Sequence, residues 1–432
     1  MADNGADSDA EFDDVIAWAG VSLPAAVERK ARLLLLDAVG CIAAGLRHAE
    51  VQRLATSLSR WFPGPVSIAG SPPLGPAGAA ALAASALCWD EANDGLARAH
   101  GRPSLTVVPA VLAMAGEHGL GRVLHALALG YEVGARAGEI WRIRPGMHVD
   151  GSWHALGAAA ACAWLSDAEA GRSVRIAACQ IPFSLYRPLA LGMTGRNSYA
   201  AHGAMLGILS AAAAEAGSDA PEGGLAEARR LALLHETSPK RTPAGTWLIE
   251  EGYIKPFAGV RHGHYGAVAA IDLRRRLDRS EDVTALRLET YGEALRYAAN
   301  RAPQTAIAAQ FSLSFAVAAA LRFGHLDPQV YDALHDPELI RLESLVELLE
   351  DPILSHKDRR AARLVARVAG GEVSARADRV LGDLDRPMTE ADVTAKFLRY
   401  AAGLSDAPAI VEAILNGPLD RPASVLGRMF RK

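Results

Sequence analysis

Between residues 87 and 104 the chain reads LCWDEANDGLARAHGRPS, which places Asp90, Glu91, Asp94, His100 and Arg102 directly after an alanine-rich run. Carboxylates, an imidazole and a guanidinium together can move protons and hold an anion. Glu91 and Asp94 are three apart, so on a continuing helix they share a face and can form a paired-carboxylate acid/base device. The alternative is a helix end that meets water or anchors arginines. His100 titrates nearest neutral pH and stands two positions from Arg102; it reads either as a proton carrier or as a solvated loop histidine. Arg102 offers a fixed charge and a fork of donors for a carboxylate, but with a pKa above about 12 it cannot carry protons. Further proton carriers lie at His148, Tyr199, His202 and Lys255.

Other chemistry finds less support in the spacing. Arg261-His262-Gly263-His264 brings two histidines close together without the third ligand a zinc site needs. Cys41, Cys88, Cys162 and Cys179 sit among apolar residues with no C-x-x-C spacing and read as reduced, buried thiols. There is no G-x-G-x-x-G after a strand, no P-loop and no G-x-S-x-G elbow.

These residues need elements to position them. The sequence has 432 residues, 50% hydrophobic and 22% charged, enough for two globular domains. A net charge of -4, with no basic cluster, argues against nucleic acid and membrane surfaces as partners. The acidic start, MADNGADSDAEFDD, has no apolar core of a signal peptide, which points to the cytoplasm. From Pro24 onward, apolar residues recur at three- and four-residue spacing between Gly and Pro breaks, the pattern of successive helices. The Ala/Gly-rich runs at 76–89, 154–165 and 201–216 predict helices buried on most sides; none is a membrane span. The character changes near residue 256. A helix is expected at about 267–277, a strand in DVTALRLETYGEAL, helices at 304–322 and 337–349, and a hairpin about Gly370-Gly371. The expected fold is mostly α with a smaller α+β domain, the latter spanning 256–389. Residues 1–255 and 390–432 form the helical domain in this scheme, although composition does not place the helical tail.

Blocks spread along nearly the whole chain resemble the MmgE/PrpD family, which includes 2-methylcitrate dehydratases, cis-aconitate decarboxylase and iminodisuccinate epimerase. They are LLLLDAVGCIAAGL, the 87–104 stretch through PSLTVVPAVLAMA, GMHVDGSWHALGAAAACAWL, GRNSYAAHGAMLGILSAAAAEAG, YIKPFAGVRHGHYGAVAAIDL, AQFSLSFAVAAALRFG and DRPMTEADVTAKFLRYA. The resemblance implies a large helical domain built from both chain ends, an inserted α+β domain, a homodimer, and catalysis in the interdomain cleft without metal or cofactor. It also exposes two departures. Arg102 stands where the family's G-H-P-S block has histidine, and Arg196 where the family has lysine. His148, Lys255 and His264 are retained.

Removing a proton next to a carboxylate builds two negative charges on the substrate, so the site needs cations and one placed base. The resemblance therefore implies a lyase or isomerase acting on a small di- or tricarboxylate, by dehydration, decarboxylation or epimerisation. In this reading His148 is the general base, Lys255 a cation or acid, and Glu91 and Asp94 a carboxylate pair. Arg102 and Arg196 are substrate clamps or structural ion-pair partners, with His100, Tyr199 and His264 as further binding residues. The two replaced residues suggest a divergent enzyme of specialised metabolism; the alternative is a non-catalytic dimeric binding protein that kept the fold.

Overall fold

The computed structural model describes residues 11–423 except 69–70, 236–238, 278, 280–281 and 356–359. The helical body is organised around helices rich in buried apolar residues. Six of them concern the site: α1 (Ala25–Gly45), α2 (Pro76–Trp89), α3 (Ser104–Met114), α4 (Leu120–Ile140), α5 (His154–Ser166) and α6 (Ser198–Glu215). Helix α5 is central, packed against α3, α4 and α6. It reads HALGAAAACAWLS and is buried along nearly its whole length. Small side chains set the packing distance. A Cβ added at Gly157 of α5 would come within 2.5 Å of the Gly130 carbonyl oxygen on α4, so those backbones touch only because both positions are glycine.

The smaller lobe pairs α7 (Arg261–Arg274) with α8 (Leu313–Phe323), both packed on a four-stranded sheet of order β2-β1-β3-β4. β1 (Ala285–Thr290) runs parallel to β2 (Val346–Glu350), with Leu286 opposite Val346, and antiparallel to β3 (Ala362–Val368), with Leu288 opposite Leu364. β3 and β4 (Gly371–Ala377) form the hairpin that the Gly370-Gly371 pair predicts, and Gly371 takes a φ of 121° that a side chain would strain.

Several boundaries differ from the sequence reading for tertiary reasons. The helix expected over 337–349 stops at Leu345, because Val346–Glu350 finds a partner edge in β1. The helix expected over 304–322 breaks at Phe311, where the Ser312 side chain accepts the Phe315 N–H and starts α8. The strand expected in DVTALRLETYGEAL ends at Thr290, and Gly292–Ala298 is helical. Helix α7 begins at Arg261 rather than Ala267, so the two histidines of the RHGH run lie in its first turn. Cys179 is exposed, unlike the other three cysteines.

The last described helices, α9 (Glu390–Tyr400) and α10 (Ala407–Leu415), pack on α1. A capping box between Thr389 and Asp392 starts α9. The buried Lys396 ammonium donates to Asp37 on α1 at 2.5 Å and to the Ala92 carbonyl at 2.7 Å, tying α9 to the turn that follows α2. Among the described residues no helix is long and apolar enough to cross a membrane.

Candidate active site

A cavity of about 400 Å³ opens where the helical body meets the smaller lobe. Its floor is made from chain segments at the ends of buried helices. Glu91 lies just beyond the C-terminus of α2, Arg102 just before α3, His148 and Asp150 ahead of α5, Arg196 in the single turn before α6, and Lys255 on the approach to α7. Helix ends suit this task, because their packed interiors hold the flanking residues rigidly. Glu91 has a φ of 53°, a left-handed conformation that costs a non-glycine residue on the order of 1 kcal/mol or more. It is held there by its carbonyl, which accepts from the Lys255 Nζ at 2.5 Å.

The floor is an ion-pair box. Arg102 Nη2 lies 2.9 Å from Glu91 as an ion pair and donates to Asp150, while its Nη1 donates to Asn93 at 2.9 Å. Arg196 pairs with Glu91 and, at 3.5 Å, with Asp150; its Nη1 meets Asn197 Oδ1 and Cys88 Sγ, each at 2.9 Å. Lys255 Nζ lies 3.4 Å from the Glu91 carboxylate. Every terminal nitrogen of both guanidinium groups therefore already has an acceptor in the protein.

Electrostatics follow from that arrangement. Burial opposes ionisation of Glu91, but Arg102, Arg196 and Lys255 outweigh it and hold the carboxyl at about 2. Burial likewise opposes charge on Asp150, and Arg102, with help from His148 and Arg196, keeps it well below the usual carboxylate range. Burial brings the Lys255 ammonium down to about 8, with Glu91 partly restoring it. Burial brings His148 to about 4 against the pull of Asp150, so its ring is neutral at pH 7.

The tautomer of that ring is fixed by the backbone. His148 Nδ1 accepts the Asp150 N–H at 3.0 Å, so its proton resides on Nε2. A ring held this way donates from Nε2 and has no free basic nitrogen there. The geometry of His148 suits a hydrogen-bond donor, and Lys255 is the group whose neutral form is accessible near physiological pH.

Of the residues singled out from sequence, Glu91, His100, Arg102, His148, Arg196 and Lys255 line the cavity. His100 is exposed, at the rim, with a φ of 52°. Four others lie elsewhere, His202 among them, exposed on α6. Asp94 is buried outside the lining, accepting from Ser104 Oγ and, at 3.0 Å, from Asn93, so it makes no pair with Glu91 and neither arginine's terminal nitrogens reach it. Tyr199 lines a separate cavity with Trp89, Met193 and Ile307, and donates to the Leu185 carbonyl at 3.0 Å. His264 is sequestered inside α7's packing, with Nδ1 3.3 Å from Arg261 and Nε2 3.2 Å from the Ala258 carbonyl oxygen. Its neighbour His262 faces the cavity instead, with Nδ1 2.7 Å from Tyr291 Oη, so the two rings do not converge on one ion.

Sequence reasoning missed Asp150, Cys88 and Arg360. The signal for Asp150 was its position two residues after His148; only the fold shows that it faces both arginines. Among the described residues, Cys88, Glu91 and Asp150 are the one trio with ligand atoms close enough to share a metal ion. They do not fit one. Arg102 Nη2 already reaches all three, and burial raises the Cys88 thiol, so a cation there would meet two guanidinium groups.

A family model described as the MmgE/PrpD N-terminal domain matches residues 16–241, and one described as the MmgE/PrpD C-terminal domain matches residues 257–417. No curated protein matches the chain.

Proposed function

The chain belongs to the MmgE/PrpD family, a family of dehydratases and related enzymes, and from that premise we propose that it is a lyase or isomerase that removes a proton α to a carboxylate without a metal or cofactor. The observation that carries this reading is the pairing, in one cavity, of an amine lowered to about 8 with an imidazole locked as an Nε2–H donor. The neutral Lys255 amine takes the α-proton, and the C–H electron pair moves into the carboxylate to give an enediolate. His148 donates its Nε2–H to the oxygen on which charge grows, a neutral electrophile rather than a base. The Lys255 ammonium then returns its proton, either to a departing β-hydroxyl, which leaves as water, or to the carbon. The box of Glu91, Asp150, Arg102 and Arg196, two carboxylates against two guanidinium groups, holds this pair in place.

The division at residues 255 and 390 follows this reading, with the reaction in the cleft between a helical domain and the smaller domain. We place the enzyme in the cytoplasm as a homodimer; Phe183, Leu191 and Met193, each more than half exposed within one short stretch, support an apolar contact surface.

Incubation with carboxylic acids in D2O tests the chemistry. NMR is expected to show deuterium entering the α-carbon of at least one acid, and Lys255→Met is expected to abolish this while leaving the fold intact by circular dichroism. Exchange that persists in Lys255→Met would overturn the assignment of the base. No exchange across a broad panel, with binding retained, would instead support a non-catalytic binding protein.

A further inference from the structure

The cations of the floor are committed to the protein. The terminal nitrogens of Arg102 and Arg196 go to Glu91, Asp150, Asn93, Asn197 and Cys88. Lys255 is held by the Glu91 and Gly259 carbonyls as well as the Glu91 carboxylate, and it is a neutral amine at the start of the reaction proposed above. In that state the floor sums to zero charge, and what it offers a ligand oxygen is the His148 Nε2–H.

Another part of the lining is uncommitted. Trp141 and Arg142 follow the C-terminus of α4, and both side chains line the cavity. The Trp141 Nε1 and the Arg142 Nη1 are buried, and neither has an acceptor in the protein. Buried donors of these kinds are nearly always paired, since otherwise they give up water without a replacement. Other arginines with an unmatched nitrogen, such as Arg122 and Arg322, still hold an ion pair. Among the described residues no carboxylate lies within ion-pair distance of Arg142. The charge that acts on it is Glu139, which is occupied by Arg98 and by the Thr242 N–H and hydroxyl. Nor does the end of α4 need Arg142, because the Ile140 carbonyl accepts from the Arg229 Nε at 2.7 Å. The remaining lining arginines are engaged, Arg261 with Asp383 and Arg360 at 3.4 Å from Glu293. Burial, with Arg142 and Arg360, holds His100 at the rim below the usual histidine range against Glu293. The basic groups that act most on Glu91 and Asp150 are instead Arg102, Arg196, Lys255, His148 and His154. Arg142 thus belongs to the rim, apart from the ion-pair box, and Ile143, Met147, Tyr186 and Phe311 give the same cavity apolar wall.

Resting on the reaction class proposed above, we propose that Arg142 and the Trp141 indole N–H form a carboxylate subsite, and that the ligand is a diacid with an apolar middle. One carboxylate lies at His148, where the enediolate develops, and the remote one lies on Arg142. A planar fork carrying one charge matches a carboxylate, and the Trp141 N–H adds a donor beside it. Arg142, rather than Arg102 or Arg196, then decides which acids bind.

Calorimetric titration with the α,ω-diacids from butanedioate to octanedioate, each against the monoacid of equal carbon number, tests this. At least one diacid is expected to bind tenfold or more tightly than its monoacid. Arg142→Gln, which breaks no ion pair, is expected to fold with an unchanged urea midpoint and to lose that preference while monoacid affinity stays within about twofold. Arg142→Lys is expected to keep part of the preference. Trp141→Phe, which retains a ring without the N–H, is expected to weaken the diacid alone by threefold or more. The preference is expected to persist from pH 6.5 to 9, because the guanidinium stays charged while Lys255 titrates at about 8. No preference at any length, a preference that survives Arg142→Gln, or one that disappears above pH 8 overturns the proposal. Wild-type diacid affinity in Trp141→Phe overturns the indole's part in it. Deuterium exchange that Arg142→Gln leaves unchanged in every acid would sink this inference alone. Diacid binding that depends on Arg142, with no exchange in any acid, would sink the reaction class alone.

Discussion

At pH 7 about one Lys255 amine in ten is neutral, because burial has brought its pKa to about 8. If that neutral form is the base, kcat/KM rises about tenfold per pH unit below 8 and levels above it. His148, neutral above about 4, adds no limb in the same range. A profile already flat from pH 5 to 9 would return the role of base to the histidine. Replacing that ring separates donor from base in a second way. His148→Gln keeps an N–H near the Nε2 position and is expected to retain more activity than His148→Ala, whose kcat is expected to fall by about 10²–10³, the effect of losing one oxyanion donor. Equal losses in both variants, measured at saturating substrate, would contradict the donor role. The ionisable residues lining this cavity were legible in the sequence because Glu91, Arg102, His148, Arg196 and Lys255 are residue types whose chemistry is intrinsic. Their partners were not: Asp94 and Asp150 look alike in the chain, and only packing turns one toward Ser104 and the other toward two arginines.

Helix packing sets how exactly those groups can be held, and its most sensitive point is the contact of α4 with α5. Gly157→Ala forces a methyl to within 2.5 Å of a carbonyl oxygen and is expected to cost about 1–3 kcal/mol in denaturant unfolding, with a parallel loss of activity as Asp150 and His148, ahead of α5, shift. A second element-level prediction concerns α9. Lys396→Met leaves Asp37 buried without its cation and is expected to destabilise the protein by about 3–5 kcal/mol. Asp37→Leu combined with Lys396→Met is expected to recover much of that loss, and failure to do so would show that the Ala92 contact, rather than the ion pair, is what matters. The helices of the body were readable because their alanine and glycine runs have no alternative to burial, and α2 coincides with its expected span. Strand β2 was not, since the sequence before it continues a helical pattern and the deciding term is a hydrogen-bonded edge contributed by residues sixty positions earlier.

For the molecule as a whole, the two floor carboxylates link stability to acid. Glu91 titrates at about 2 when folded and at 4.5 when its neighbours are absent. A carboxyl depressed in this way adds stability above pH 4.5, on the order of 3 kcal/mol, that is lost as pH falls from 4.5 toward 2. Urea midpoints measured across that window are expected to fall steeply for the wild-type protein and less steeply for Glu91→Gln; parallel slopes would remove Glu91 from the linkage. The two-lobed architecture was legible from the change of pattern near residue 256, but the tail's placement was not, because nothing local encodes the surface that α9 covers. That placement bears on how the protein is made. The Ala92 carbonyl, next door to Glu91, is gripped by a side chain synthesised 304 positions later. At ~5–20 residues per second a ribosome needs about 15 to 60 s to supply it, so a nascent chain spends that interval with the turn after α2 unpinned. The turn beneath the cavity is thereby completed only when translation is nearly over.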